Sequence, residues 1–126
     1  MLVNRLDHLV LTVADIEVTV DFYTRLLGMQ RLEFAGGRVA LKYGEQKINL
    51  HQSGQEFEPK AHNVMSGSAD LCFIIDTPIA EAMQEIRLQG VELLDGPVER
   101  SGASGAILSI YLRDPDGNLI ELSNYI

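Results

Sequence analysis

The chain carries one ground plan twice. His8 precedes Gly28 by the same interval at which Asp70 precedes Gly90, and Ile48-Asn49-Leu50 closes the first half as Ile120-Glu121-Leu122 closes the second. His8 is therefore equivalent to Asp70, and Asn49 to Glu121. A repeat on this scale means two copies of one supersecondary unit that stack or pair to bury a core. In the first copy, Leu6 to Val13 reads as a strand and Asp15 as the cap of a helix over 16–27, with Val18, Phe22 and Leu26 at helical spacing. Gly28 stops that helix, and strands follow at Met29 to Phe34, Arg38 to Tyr43 and Lys47 to His51.

The second copy has the same order. A strand over Ser68 to Ile75 leads through Thr77, a cap, and Pro78, placed at the first helical position, into a helix over 79–89 with Ile79, Met83, Ile86 and Leu88 as its apolar positions. Gly90 ends it. Strands are predicted at Val91 to Leu94, Ala106 to Arg113 and Asn118 to Asn124, with Asp114-Pro115-Asp116-Gly117 as a tight turn and Ser101 to Gly105 as a mobile one. The fold class is α+β: two tandem βαβββ modules, about 4–51 and 68–126, each a curved mixed sheet packed on a helix, forming a shared cavity. Gln52 to Gly67 joins them as a linker or as a cover over a pocket mouth; at this length it exceeds an ordinary connection.

Alternation along the strands sorts the side chains by face. Leu9, Leu11 and Val13 oppose His8, Val10 and Thr12. Ile48 and Leu50 oppose Asn49 and His51. Ile120 and Leu122 oppose Glu121 and Ser123. The apolar faces belong against the helices, which turns His8, Asn49, His51, Asp70 and Glu121 toward the cavity. Buried without partners, such groups would cost several kcal/mol, roughly. Two imidazoles with one or two carboxylates instead suit a divalent first-row metal with positions left open for substrate. Tyr111, Arg113 and Arg38 sit on alternating faces that reach the same cavity, and Lys42 reads as a solvated strand residue. His62 reads as a solvent-exposed loop residue and Cys72 as a small core-lining one.

Several function classes are excluded. A formal charge of −8, with ten scattered Lys and Arg, is wrong for nucleic acid or an anionic membrane. No apolar run approaches the roughly 20 residues that span a bilayer. The N-terminal Met1-Leu2-Val3-Asn4-Arg5 lacks the apolar segment of a signal peptide, and one cysteine forms no intrachain disulfide. A cytoplasmic location is expected. No phosphate-binding loop, dinucleotide fingerprint or nucleophile elbow is present.

The stretches Asp7-His8-Leu9-Val10-Leu11-Thr12-Val13-Ala14-Asp15, Phe22-Tyr23-Thr24-Arg25-Leu26-Leu27-Gly28-Met29 and Asp114-Pro115-Asp116-Gly117-Asn118-Leu119-Ile120-Glu121 resemble the glyoxalase/bleomycin-resistance/dihydroxybiphenyl-dioxygenase superfamily, the vicinal oxygen chelate proteins. Ile48 to His51 and Glu56 to Ala61 look similar to its glyoxalase domain-containing protein 5 subgroup and to bacterial virulence proteins of the same kind. The resemblance implies one glyoxalase-like domain over 1–126. It implies metal ligands from the first, fourth, fifth and eighth strands: His8, Asn49 or His51, Asp70 and Glu121. Asn49 stands where glyoxalase I has glutamate, and Asp70 where histidine is usual, so the chain departs from the classical enzyme.

The resemblance further implies a divalent metal (Zn, Ni, Mn or Fe), Glu121 as catalytic base, a small oxygenated substrate and a homodimer. The implied activity is that of a metal-dependent lyase or isomerase of the lactoylglutathione lyase type. A ring-cleaving dioxygenase, a thiol transferase and a metal-free, ligand-sequestering protein are the alternatives. Whether the two halves of the site meet within one chain or between two stays open.

Overall fold

All 126 residues are described, in a computed structural model. They form two compact units, Met1–Gly67 and Ser68–Ile126. In the first, β1 (His8–Val13) leads to α1 (Ile16–Leu27), then β2 (Gln30–Phe34), β3 (Arg38–Tyr43) and β4 (Gln46–Gln52). Asp15, in extended backbone, accepts from the amides of Glu17 and Val18 and so starts the helix. Gly28, at φ 67°, takes the left-handed turn that ends it. The buried stripe of α1 is Thr19, Val20, Phe22 and Tyr23, while Val18, read as apolar-face, is 51% exposed. The i, i+3, i+4 stripe runs through 19, 20 and 23, and Val18 lies outside it.

The sheet order is β1-β4-β3-β2, with β1 parallel to β4 and the other pairs antiparallel. Leu11 and Val13 from β1, Ile48 and Leu50 from β4, and Val39 and Leu41 from β3 form the buried face toward α1. Each large apolar side chain buried this way contributes roughly 1.5–3 kcal/mol. That face is what holds the opposite, polar face in register.

The second unit repeats the plan: β5 (Asp70–Ile74), α2 (Ile79–Leu88), β6 (Asp95–Gly102), β7 (Gly105–Arg113) and β8 (Leu119–Tyr125), in the sheet order β5-β8-β7-β6. The parallel pair β5–β8 places Asp70 opposite Leu119 and Cys72 opposite Glu121, as β1–β4 places His8 opposite Lys47 and Val10 opposite Asn49. The equivalence of His8 with Asp70 and of Asn49 with Glu121 therefore holds in strand register.

Three expectations need correction. The sixth strand is Asp95–Gly102, where Val91 to Leu94 was predicted. β6 is an edge strand, and a register shift between Asp95 and Val98 absorbs Gly96-Pro97. Pro78 is the N-cap, with ψ 139°, and the helix begins at Ile79, whose amide is capped by the Asn124 side chain at 2.9 Å. Leu88 is 87% exposed, and the buried face of α2 is Ile79, Ala82 and Ile86.

The turn at 114–118 is tied by Asp114. Its carboxylate accepts from the amides of Asp116 and Asn118 and from the Asn118 side chain, at 2.8–2.9 Å. Asn118 in turn accepts from the Ala69 amide at 2.9 Å, which sets β5 beside β8.

Candidate functional site

The polar face of the first unit is built row by row. His8 lies across from Lys47, Val10 from Asn49, and Thr12 from His51. His8 is nearly half exposed, with Nδ1 2.8 Å from the Asp7 carboxylate. That hydrogen bond is the main reason the Asp7 carboxyl is held below its ordinary range. A carboxylate at one ring nitrogen fixes the orientation of an imidazole, the arrangement that commonly accompanies metal-binding histidines.

His51 is in a different position. It is only 7% exposed, and its ring packs edge-to-face on Phe57 at 5.5 Å, with the Arg38 guanidinium 4.1 Å over the other ring. Burial first, and then the nearby Arg38 charge, lower its pKa, so it is neutral at pH 7. Its Nδ1 and the Oδ1 of Asn49 are buried without a hydrogen-bond partner. His51 opens on a cleft of about 380 Å³ with Val10, Thr12, Pro59, Lys60 and Val64. Pro59, Lys60 and Val64 come from the 52–67 segment, so that segment is a wall of the cleft as well as a connection. Lys60 pins it through ion pairs with Glu56 (3.4 Å) and Glu58 (3.5 Å).

The register separates His51 from His8. His8 faces Lys47 and His51 lies four residues further along β4, about 13 Å at the rise of a strand. Asn49 is only two residues along. In the first unit the position equivalent to Glu121 is thus held by Asn49, and His51 lines the cleft one side-chain repeat beyond.

In the second unit Asp70 and Glu121 stand in the corresponding relation, on one face and two residues apart in register. Ser109, fully buried on β7, donates to Glu121 Oε2 at 2.6 Å. Ser109 Oγ is also 2.7 Å from Ser123 Oγ, which is 3.4 Å from the Cys72 thiol. With Ser109 donating to the carboxylate, Ser123 must donate to Ser109 and Cys72 to Ser123. Tyr111 lies directly across from Glu121 and receives a 3.1 Å hydrogen bond from Arg100 Nε. Burial, more than any other cause, raises the Tyr111 pKa, so its hydroxyl stays protonated.

Cys72 is exposed, not core-lining. It falls on the Glu121 face, and partial desolvation of the thiol, with the nearby carboxylates of Glu121 and Asp70, raises its pKa despite the Ser123 hydrogen bond, so it is no thiolate. Glu121 and Cys72 open on a second cleft of about 380 Å³, shared with Ile74, Arg100, Ile107 and Tyr125.

The other candidates fall in several places. Arg38 belongs to the His51 stack and Tyr111 to the Glu121 row. Arg113 is exposed and donates to the Gly117 carbonyl at 3.2 Å, at the turn. Lys42 donates to the Gly44 carbonyl. His62 is exposed. Sequence reasoning missed Arg100, because the strand that carries it was placed too early, and Ser109, though alternation with Tyr111 could have found it. No three His, Cys, Asp or Glu side chains gather closely enough to hold a metal ion. The donor types fit a divalent metal: an imidazole oriented by a carboxylate, and carboxylates of which Glu121 is held at one oxygen.

A duplicated βαβββ unit with a polar row across its parallel pair defines a family. Residues 5–122 match the Glyoxalase/Bleomycin resistance protein/Dioxygenase superfamily, and the chain belongs to it. It is 56% identical over 126 residues to virulence protein STM3117 of Salmonella typhimurium, covering 100% of this chain and 88% of that one; the crystal structure of that protein superposes with a TM-score of 0.99. It is 58% identical over 123 residues to glyoxalase domain-containing protein RDO1 of Mycosarcoma maydis, covering 98% of this chain and 69% of that one. An integron cassette protein from the V. cholerae mobile metagenome has 61% identity and a TM-score of 0.98, covering 100% of this chain and 98% of that one.

More distantly, lactoylglutathione lyase of Escherichia coli O157:H7 is 29% identical over 127 residues, covering 94% of this chain and 90% of that one. The fosfomycin resistance protein FosX of Listeria monocytogenes, complexed with Mn(II) and sulfate, shares the fold at 21% identity and a TM-score of 0.69, covering 99% of this chain and 93% of that one. No helix of the chain is long and apolar enough to cross a membrane.

Proposed function

We propose that the protein is a divalent-metal-dependent, glyoxalase-like lyase or isomerase acting on a small oxygenated substrate. The observation that carries this reading is the Ser109–Glu121 contact. A hydroxyl fixes one carboxylate oxygen at 2.6 Å and leaves the other for a metal or for a substrate proton. A carboxylate so placed, half-buried and lining a cleft, is suited to move a proton at a carbon beside a carbonyl.

His8 in the first unit, and Asp70 and Glu121 in the second, are proposed as metal donors, with Asn49 at the equivalent position of the first unit and His51 in that unit's own cleft. When bound, the metal would act as a Lewis acid on adjacent substrate oxygens. Asp7 orients His8; Ser109 orients Glu121; the protonated Tyr111 donates beside the carboxylate. We further propose a homodimer, the common assembly in this family. A free, exposed Cys72 favours a reducing, cytoplasmic location.

The test is calorimetric titration of the chelator-treated protein with Mn(II), Zn(II), Ni(II) and Fe(II). His8→Ala and Glu121→Gln are each expected to abolish stoichiometric binding while the fold survives. Unchanged metal binding in both variants would refute the donor assignment.

A second reading, a metal-free protein that sequesters a ligand, is favoured by the cleft that each unit holds on its own. Metal content below about a tenth of an equivalent after purification without chelators supports it. The dioxygenase alternative is weakened, because His8 and His51 lie four strand residues apart and do not form a two-histidine, one-carboxylate triad within their sheet.

A further inference from the structure

The second unit's cleft sets a cation beside the proposed base. Arg100 leaves β6 and reaches over the ring of Tyr111, 5.7 Å from its centroid, with Nε donating to the phenol oxygen. Its remaining contacts are a 3.3 Å hydrogen bond from Nη1 to the Glu99 carbonyl and a 4.0 Å approach of Nη2 to Asp95. Both members of that last pair are about half exposed or more, so the pairing contributes little. A guanidinium has five N–H donors on three nitrogens; each nitrogen holds one of these contacts, which leaves one N–H on each of Nη1 and Nη2.

Lys60, which lines the first unit's cleft, is already neutralised by Glu56 and Glu58. Of the two cations that line the clefts, Arg100 is the one without a close carboxylate partner. On a chain of net charge −8 this is a local exception with a use.

We propose that this cleft binds a small monocarboxylate, its carboxylate held by the Arg100 fork and its short apolar body against Ile74, Ile107 and Tyr125. This names the substrate class of the Glu121 site and rests on that reading for its catalytic meaning, though not for the binding itself. Charge selects a monoanion. Asp70, Asp95 and Glu121 all stand on this face and oppose a dianion, whereas one planar guanidinium matches one carboxylate. Size agrees: about 380 Å³ is near the lower limit for small-molecule sites. Tyr111 is a positioning residue, since its hydroxyl accepts from Nε and aims the rest of the guanidinium.

The experiment is an amide-shift NMR titration of the full chain, stripped of metal on a chelating resin, with isovalerate as the probe. Isovaleramide, its neutral counterpart, and inorganic phosphate are the comparison arms. Saturable shifts are expected at Ile74, Gly102 and Ala103 with isovalerate and not with isovaleramide. Arg100→Gln should weaken binding by about tenfold or more, and Arg100→Lys by less, because it keeps the charge and loses the fork. Tyr111→Phe should weaken it severalfold with no loss of charge.

Equal binding of isovaleramide, an unaffected Arg100→Gln variant, or no saturation with isovalerate would overturn the proposal. Tighter binding of phosphate would overturn it in favour of a phosphate ligand. Because the protein is metal-free, failure here is separate from failure of the metal assignment, which the His8 and Glu121 variants report.

Discussion

Gln52 and Asn124 hold the same place in the two units and make the same joint. The Gln52 amide donates to the Ala14 carbonyl at 2.6 Å, and its oxygen accepts from the Ile16 amide at 3.3 Å. The Asn124 amide donates to the carbonyls of Ile75 and Thr77, both at 3.0 Å, and its oxygen accepts from the Ile79 amide at 2.9 Å. In each unit a residue at the end of the last strand closes the link between the first strand and its helix.

The joint should carry stability unequally. Asn124→Leu removes three well-formed hydrogen bonds and leaves a helix start without its cap, so a loss of about 2–4 kcal/mol is expected. Gln52→Leu should cost about 1–2 kcal/mol, since Asp15 caps α1 independently. Urea denaturation of both variants checks the order.

Ser109→Ala should act on Glu121 without touching the ligand cleft's walls. The carboxylate loses its 2.6 Å donor, and metal affinity is expected to fall about 10–100-fold, the usual effect of losing a group that orients a ligand. Calorimetry with Mn(II) checks it, and combination with Glu121→Gln should add nothing further.

His51 makes stability depend on pH. Its folded pKa lies below the ordinary 6.5, mainly through burial, so the unfolded chain binds the proton first. The contribution is complete above about 6.5 and is lost as pH falls from there through the lower folded value. His51→Gln should flatten the stability profile from about pH 7 downward. Urea midpoints across that range provide the measurement.

Gly96→Ala should loosen β6 from β7. At φ 101° an L side chain is strained, and an added Cβ would meet the Ser109 carbonyl and lie 2.9 Å from Ile110 Cα, both backbone. A cost of about 2–4 kcal/mol is expected in thermal or urea unfolding. Ser109 carries the Glu121 contact, so weaker metal binding should accompany it.

The repeat, the strand faces and both helices were legible along the chain because they are local. Alternation, helical spacing and the glycines at 28 and 90 are read from neighbours in sequence. Residue order alone puts His8, Asn49, Asp70 and Glu121 at matching positions on polar faces. The burial of His51 against Phe57, the exposure of Cys72 beside Glu121 and the reach of Arg100 to Tyr111 from an edge strand that absorbs Gly96-Pro97 arise in the folded chain. Each of these depends on which strands pair and in what register, and the free energy of such contacts is set by groups dozens of residues away.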